Sequence, residues 1–151
     1  MDSLAVEVES EMLKEGLLSV RLKFPYGSPD ITASDWDNIT GHESNVIYNN
    51  EGSICIERKM DKTVYYAVLK TEADTSFMQK TDHDFRIEKK HKDKLYFTLT
   101  FIQEKDYDKF ASGRFADIPD IKQVFESSTE GWKSFWETGG IVKLHNSKDP
   151  R

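Results

Sequence analysis

The residues of this chain whose types and spacing could do chemistry gather in one stretch, Tyr26 to Asn45, YGSPDITASDWDNITGHESN. An aromatic ring flanked by Asp, Asn and His is the combination with which proteins stack a sugar ring and bond its hydroxyls. Tyr26, Asp35, Trp36 and His42, with Asp30 nearby, are therefore the candidate sugar contacts, and an oligo- or polysaccharide is the ligand they imply. The plainer reading, in which Trp36 packs onto the domain and holds the loop down, comes first, because large loop aromatics are more often partly buried anchors than ligand platforms. Asn38-Ile39-Thr40 also matches the glycosylation sequon, a short match that matters only in a eukaryotic secreted protein.

Other chemistries find little support. His42, His83, His91 and His145 are scattered, none at metal-ligand spacing with a second His or Cys on one element, so no metal and no cofactor are expected. His83, flanked by Asp82 and Asp84, reads as part of a solvated turn. Cys55 is the single cysteine and lies inside an apolar run, which excludes an intrachain disulfide and makes it a buried structural thiol. No Gly-rich phosphate loop and no nucleophile elbow is present, so no catalytic residue is assigned. The 27 Asp and Glu fall mostly on expected solvent faces, and the net charge of -6 argues against nucleic acid as a partner, since phosphate binding needs a basic face. No segment approaches the roughly 20 apolar residues of a membrane span.

The elements that must position the loop are mostly strands. Leu4, Val6 and Val8 alternate with polar residues, as do Leu18, Val20, Leu22 and Phe24, and the two runs could pair as a hairpin across Lys14-Glu15-Gly16. Val46 to Tyr48 predicts a short strand, Ser53 to Met60 another with Ile54 and Ile56 on one face, and Thr63 to Lys70 a strand apolar on both faces, hence central and covered twice. Phe85 with Ile87, then Leu95 to Phe101, complete about seven strands, and Glu104 to Asp117 is a polar connection with a possible helical turn. Strand runs separated by short turn signals predict a mainly β, antiparallel β-sandwich.

The chain then changes period. Ile121, Val124, Phe125, Ser128, Trp132, Phe135 and Trp136 recur at three- and four-residue steps, which places them on one stripe of a helix that opens near Pro119-Asp120 and closes at Gly139-Gly140. Two indoles and two phenyl rings on one stripe call for burial, and the expected cover is the sandwich, with the helix over the second face of the central strand. Alternatively the stripe joins this domain to another.

At that helix the chain resembles a known family. Trp132-Lys-Ser-Phe135-Trp136-Glu-Thr-Gly139-Gly140-Ile-Val-Lys-Leu144, followed by Asp149-Pro150-Arg151, looks like the segment that joins two domains in large bacterial glycoside-hydrolase-like proteins of the six-hairpin class, and Phe24-Pro25-Tyr26 and Ser34-Asp35-Trp36 resemble their N-terminal domain. The pattern departs at Lys143, where those proteins carry an acidic residue. The resemblance implies a supersandwich-like domain over 1–117 and an aromatic linker helix and tail over 118–151, with Trp132, Phe135 and Trp136 at the domain interface. It implies a catalytic (α/α)6 barrel of the same parent chain as partner, beyond an end that reads as cut, with the catalytic carboxylates in the barrel. The expected function is thus a non-catalytic N-terminal domain of a carbohydrate-active protein, supporting the barrel and its sugar cleft, and a periplasmic or secreted parent is implied. A stand-alone carbohydrate-binding module and a protein-interaction β-sandwich are the alternatives.

Overall fold

The computed structural model describes residues 2–50 and 52–139, and shows a mainly β protein built from antiparallel sheets, with a helix at the end of the described chain. The elements in order are β1 (Asp2–Glu9), α1 (Glu11–Lys14), β2 (Val20–Lys23), β3 (Tyr26–Gly27), β4 (Ser34–Asp35), β5 (His42–Asn50), β6 (Ser53–Met60), β7 (Thr63–Thr71), β8 (Ser76–Thr81), β9 (Asp84–Glu88), β10 (Lys94–Gln103), α2 (Tyr107–Ala111) and α3 (Ile121–Glu137). Five strands form one sheet in the order β1-β10-β7-β6-β5, three form a second in the order β2-β9-β8, and β3 and β4 pair as a short ribbon.

The two larger sheets face each other across one core. Period-two alternation sends Ile54 and Ile56 of β6, Ala67 and Leu69 of β7, and Leu95, Phe97 and Leu99 of β10 inward against Phe85 and Ile87 of β9. The opposite faces of the same strands do not go to water. Cys55, Tyr66, Val68 and Ile102 are buried under Phe110, Phe115 and Ile118, which come from α2 and the turns after it. β7 is central and covered on both faces, as its sequence requires.

Three expectations are corrected. First, β1 and β2 are not a hairpin: β1 pairs with β10 and β2 with β9. The connection between them is α1, capped by Ser10 and ended near Gly16 at φ 70°, which carries the chain from one sheet to the other while Leu13 fills the core between. Second, Tyr26 to Asn45 is not all loop. It holds β3 and β4, and β5 already begins at His42 rather than at Val46. Strand β8 has no counterpart in the sequence reading.

Third, the aromatic helix does not cover the sheet. α3 starts with a full capping box, in which the Asp120 carboxylate accepts from Gln123 N–H and the Gln123 side chain accepts from Asp120 N–H, both at 2.9 Å. Only Ile121 and Val124 are half-buried, where the first turns pass β1 and β10. Beyond them Phe125, Trp132, Phe135 and Trp136 are 45, 59, 49 and 49 % exposed. The reason lies upstream, since the second face of β7 is already filled by residues 107–118. That segment is tied down where Lys70 Nζ donates to Ala116 O and Ile118 O and the Thr98 hydroxyl to Pro119 O. Gly139, at φ 116°, follows the last residue of the helix cap, while Gly140 and the expected continuation to Arg151, His145 included, lie outside the described residues.

Candidate functional site

The structure brings three of the four proposed sugar contacts near one another, Tyr26 pairing with Asp35 across β3 and β4 and its ring lying 5.8 Å from that of His42, but the polar groups of all three are engaged by the protein. Tyr26 is half-buried, and its hydroxyl donates to the Asp61 carboxylate at 2.8 and 2.9 Å, an arrangement that raises the phenol's pKa. Asp35 Oδ1 accepts from Asp37 N–H and Asn38 N–H at 3.0 and 3.1 Å, so its carboxylate shapes the turn. His42 is buried and turned toward the protein. Trp36 stays 53 % exposed, with Lys23 Nζ 5.2 Å from its ring centroid, so it does not pack as a buried anchor.

What His42 faces is the most concentrated chemistry in the molecule. On β6 the alternation that sends Ile54 and Ile56 inward also sends Arg58 inward, and its side chain is fully buried at the end of the core nearest the loop. Among the described residues its guanidinium has no carboxylate partner. Nη2 donates to His42 Nδ1 at 2.6 Å and to Pro25 O at 3.4 Å; Nη1 donates to Glu43 O at 3.1 Å, to His83 Nδ1 at 3.3 Å and to Ser44 Oγ; Nε donates to Tyr65 Oη at 3.4 Å. The Phe24 ring centroid lies 5.0 Å from the guanidinium carbon. A charge so placed is held by neutral dipoles and a ring face, the fork of five N–H groups finding an acceptor in nearly every direction.

The two imidazoles stack, with centroids 3.7 Å apart and planes 20° from parallel. His83 sits in the turn between β8 and β9, as expected, but it is buried rather than solvated. Its Nε2 is 2.9 Å from Ile39 O, which fixes the proton on Nε2 and leaves Nδ1 to accept from Arg58 and from the Ser44 hydroxyl at 2.7 Å. Both rings thus turn Nδ1 to Arg58 as an acceptor. For His42, burial first, then the Arg58 charge and then His83 push the pKa down to about 4, with a backbone hydrogen bond at Asn38 pulling weakly the other way.

Arg58, Ser44 and Tyr65 were missed by sequence reasoning, although the signal was there. In an inward row reading Ile54, Ile56, Arg58, the arginine occupies a position that only a sealed polar network tolerates. Residues 42, 44 and 46 alternate in the same way, and pairing sets Ser44 directly opposite Arg58. Cys55 is buried as expected, and burial pushes its thiol up to about 12, which makes it inert. Among the described residues no group of three or more His, Cys, Asp or Glu could hold a metal ion, and no helix is long and apolar enough to cross a membrane.

The fold and site define a mainly β, antiparallel protein with a buried Arg–His–Ser network under one loop and an uncovered aromatic helix. Comparison with protein-family models, with curated proteins and with solved structures yields no match for this chain.

Proposed function

We propose that this chain is a non-catalytic β-sandwich domain of a carbohydrate-active protein, and that α3 is the joint through which it supports a catalytic (α/α)6 barrel of the same parent chain. The observation that carries this reading is the stripe Phe125, Trp132, Phe135 and Trp136, each about half exposed on a helix that leaves the sheet. The rings of Trp132, Phe135 and Trp136 contact one another, Trp132 stacking on Trp136 at 6.2 Å and Phe135 meeting both edge-on, so this end of the stripe is a pre-formed surface. It leaves roughly 400 Å² of aromatic surface in water, within the range of the largest patches on monomeric proteins, which are often functional. Trp132, Phe135 and Trp136 are the same residues on which the family resemblance rests.

The test is the gene product in its source, detected with an antibody to this domain, together with oxidation of its indoles by N-bromosuccinimide. The expected result is a mass well above 17.5 kDa and protection of Trp132 and Trp136 that the 151-residue chain lacks. A product of this chain's mass with freely oxidised indoles overturns the reading. So does hydrolysis of a glycoside by the chain alone, abolished when its own carboxylates are replaced.

The exposed face of Trp36 favours one second reading, a stand-alone carbohydrate-binding module. It predicts affinity of the isolated chain for a glycan that Trp36→Ala removes with the fold intact. With Tyr26, Asp35 and His42 committed elsewhere, such binding rests on stacking at Trp36.

A further inference from the structure

We propose that Arg58, His42, His83 and Ser44 form an acid-sensitive latch that fastens segment 27–41 to the sandwich and frees it, Trp36 included, when the His42 imidazole takes up a proton. The segment is fastened at both ends by this one cluster. Pro25 O, just before it, accepts from Arg58; Ile39 O, near its end, is held by His83 Nε2; His42, immediately after it, accepts from Arg58. Phe24 N–H also donates to His83 O at 3.1 Å. Inside the segment the bonds are local, Asp35 and Asn38 closing tight turns, and Ile31 and Ile39 are exposed. Among the described residues, apart from Tyr26 on Asp61, Gly27 N–H on Met60 Sδ and Lys23 of β2 over the exposed Trp36 ring, the polar ties from this stretch to the sheets pass through the two histidines and the arginine.

Protonation attacks the bonds themselves. His42 Nδ1 and His83 Nδ1 are acceptors for one guanidinium, and a proton on His42 turns its N–H···N bond into two opposed donors beside a buried positive charge. The groups facing the cluster offer no compensation. β7 contributes the Tyr65 hydroxyl, and β3 contributes Tyr26, whose hydroxyl is already on Asp61. Glu43 gives its carbonyl, and of the two carboxylates flanking His83, Asp84 is held by Arg21 while Asp82, which lines a cavity beside His83, makes no hydrogen bond or ion pair with either ring. A histidine kept neutral by folding contributes stability that is complete above its unfolded pKa of about 6.5 and fades as pH falls toward its folded value. For His42 that value is about 4, so the latch opens within that interval.

The experiment uses the whole chain with Trp132→Phe and Trp136→Phe, so that Trp36 is the only indole. Its fluorescence anisotropy is followed from pH 7.5 to 4 beside the far-ultraviolet circular dichroism. The latch predicts a fall in anisotropy inside that window with the sheet signal intact, and its loss in His42→Gln/His83→Gln, whose amides accept without titrating. Because that variant could fail to fold, nuclear magnetic resonance of the unmutated histidines supplies the second readout. The His42 ring must titrate at the same pH at which the Trp36 indole N–H signal broadens. Unchanged anisotropy down to pH 4, loss of the sheet at the same pH, an identical transition in the double variant, or a gap of about one pH unit between the two resonance events would each overturn the proposal.

Discussion

Replacing Arg58 by Met probes the network most directly. Methionine refills much of the stem volume, so the change isolates the guanidinium head. Its removal leaves the buried His42 Nδ1 and the part-buried Glu43 O without the donors that now stand at 2.6 and 3.1 Å; Ser44 still satisfies His83 Nδ1. An orphaned buried acceptor costs about 1–3 kcal/mol. Releasing the desolvated charge gives some of this back, because a buried ion is itself expensive. In this site the guanidinium meets six acceptors and a ring face, so its desolvation is largely met and the orphaned acceptors decide the sign. The expected loss is about 2–4 kcal/mol at pH 7.5, which at a urea slope of about 2 kcal/mol/M moves the midpoint down by about 1–2 M. Arg58→Lys should fall between, since an ammonium keeps the charge but cannot bridge both imidazoles. A pH arm separates this account from simple loss of packing. Arg58 is one of the groups that hold the His42 pKa down, so its removal raises that pKa and weakens the acid dependence. The deficit of Arg58→Met should therefore narrow between pH 7.5 and pH 5. A variant as stable as the parent, or a deficit independent of pH, would refute the reasoning.

Further outcomes follow from other parts of the fold. Trp132→Ala and Trp136→Ala should leave the thermal stability of the chain within about 0.5 kcal/mol, as exposed positions do; a loss above about 1.5 kcal/mol would place these rings on the sandwich. Gly52→Ala should cost about 1–3 kcal/mol in urea unfolding, because Gly52 has φ 77° and an added Cβ would lie 2.4 Å from Thr71 O, an atom of the backbone that cannot swing away. Cys55 should be silent to Ellman's reagent in the native chain and react once urea unfolds it, a prompt native reaction being the contrary result.

Local pattern was legible wherever one residue type repeated at the period of its element. The alternation in Leu95 to Phe101, the two apolar faces of Thr63 to Lys70, and the aromatic stripe of α3 each specified an element, because side-chain direction is fixed by backbone geometry alone. Whether that element had anything to pack against was a different matter. The helix was correct and its expected cover was not, since residues 107–118 reach the face of β7 first, and no periodicity in α3 records the occupancy of a distant surface. Strand partners were equally hidden: β1 joins β10 across most of the chain, a choice made by which sheets the total burial can close. The candidate site shows the division most clearly. Sequence singled out His42 and the loop it ends, and placed it among sugar-contacting residues by type. Tertiary structure turned that imidazole inward, because β5 starts at residue 42 and its pleat directs positions 42 and 44 toward Arg58, and it brought in His83 from a turn 41 residues away. Residue type named the groups that could do chemistry, whereas the partners that set their charge came from strands far apart in sequence.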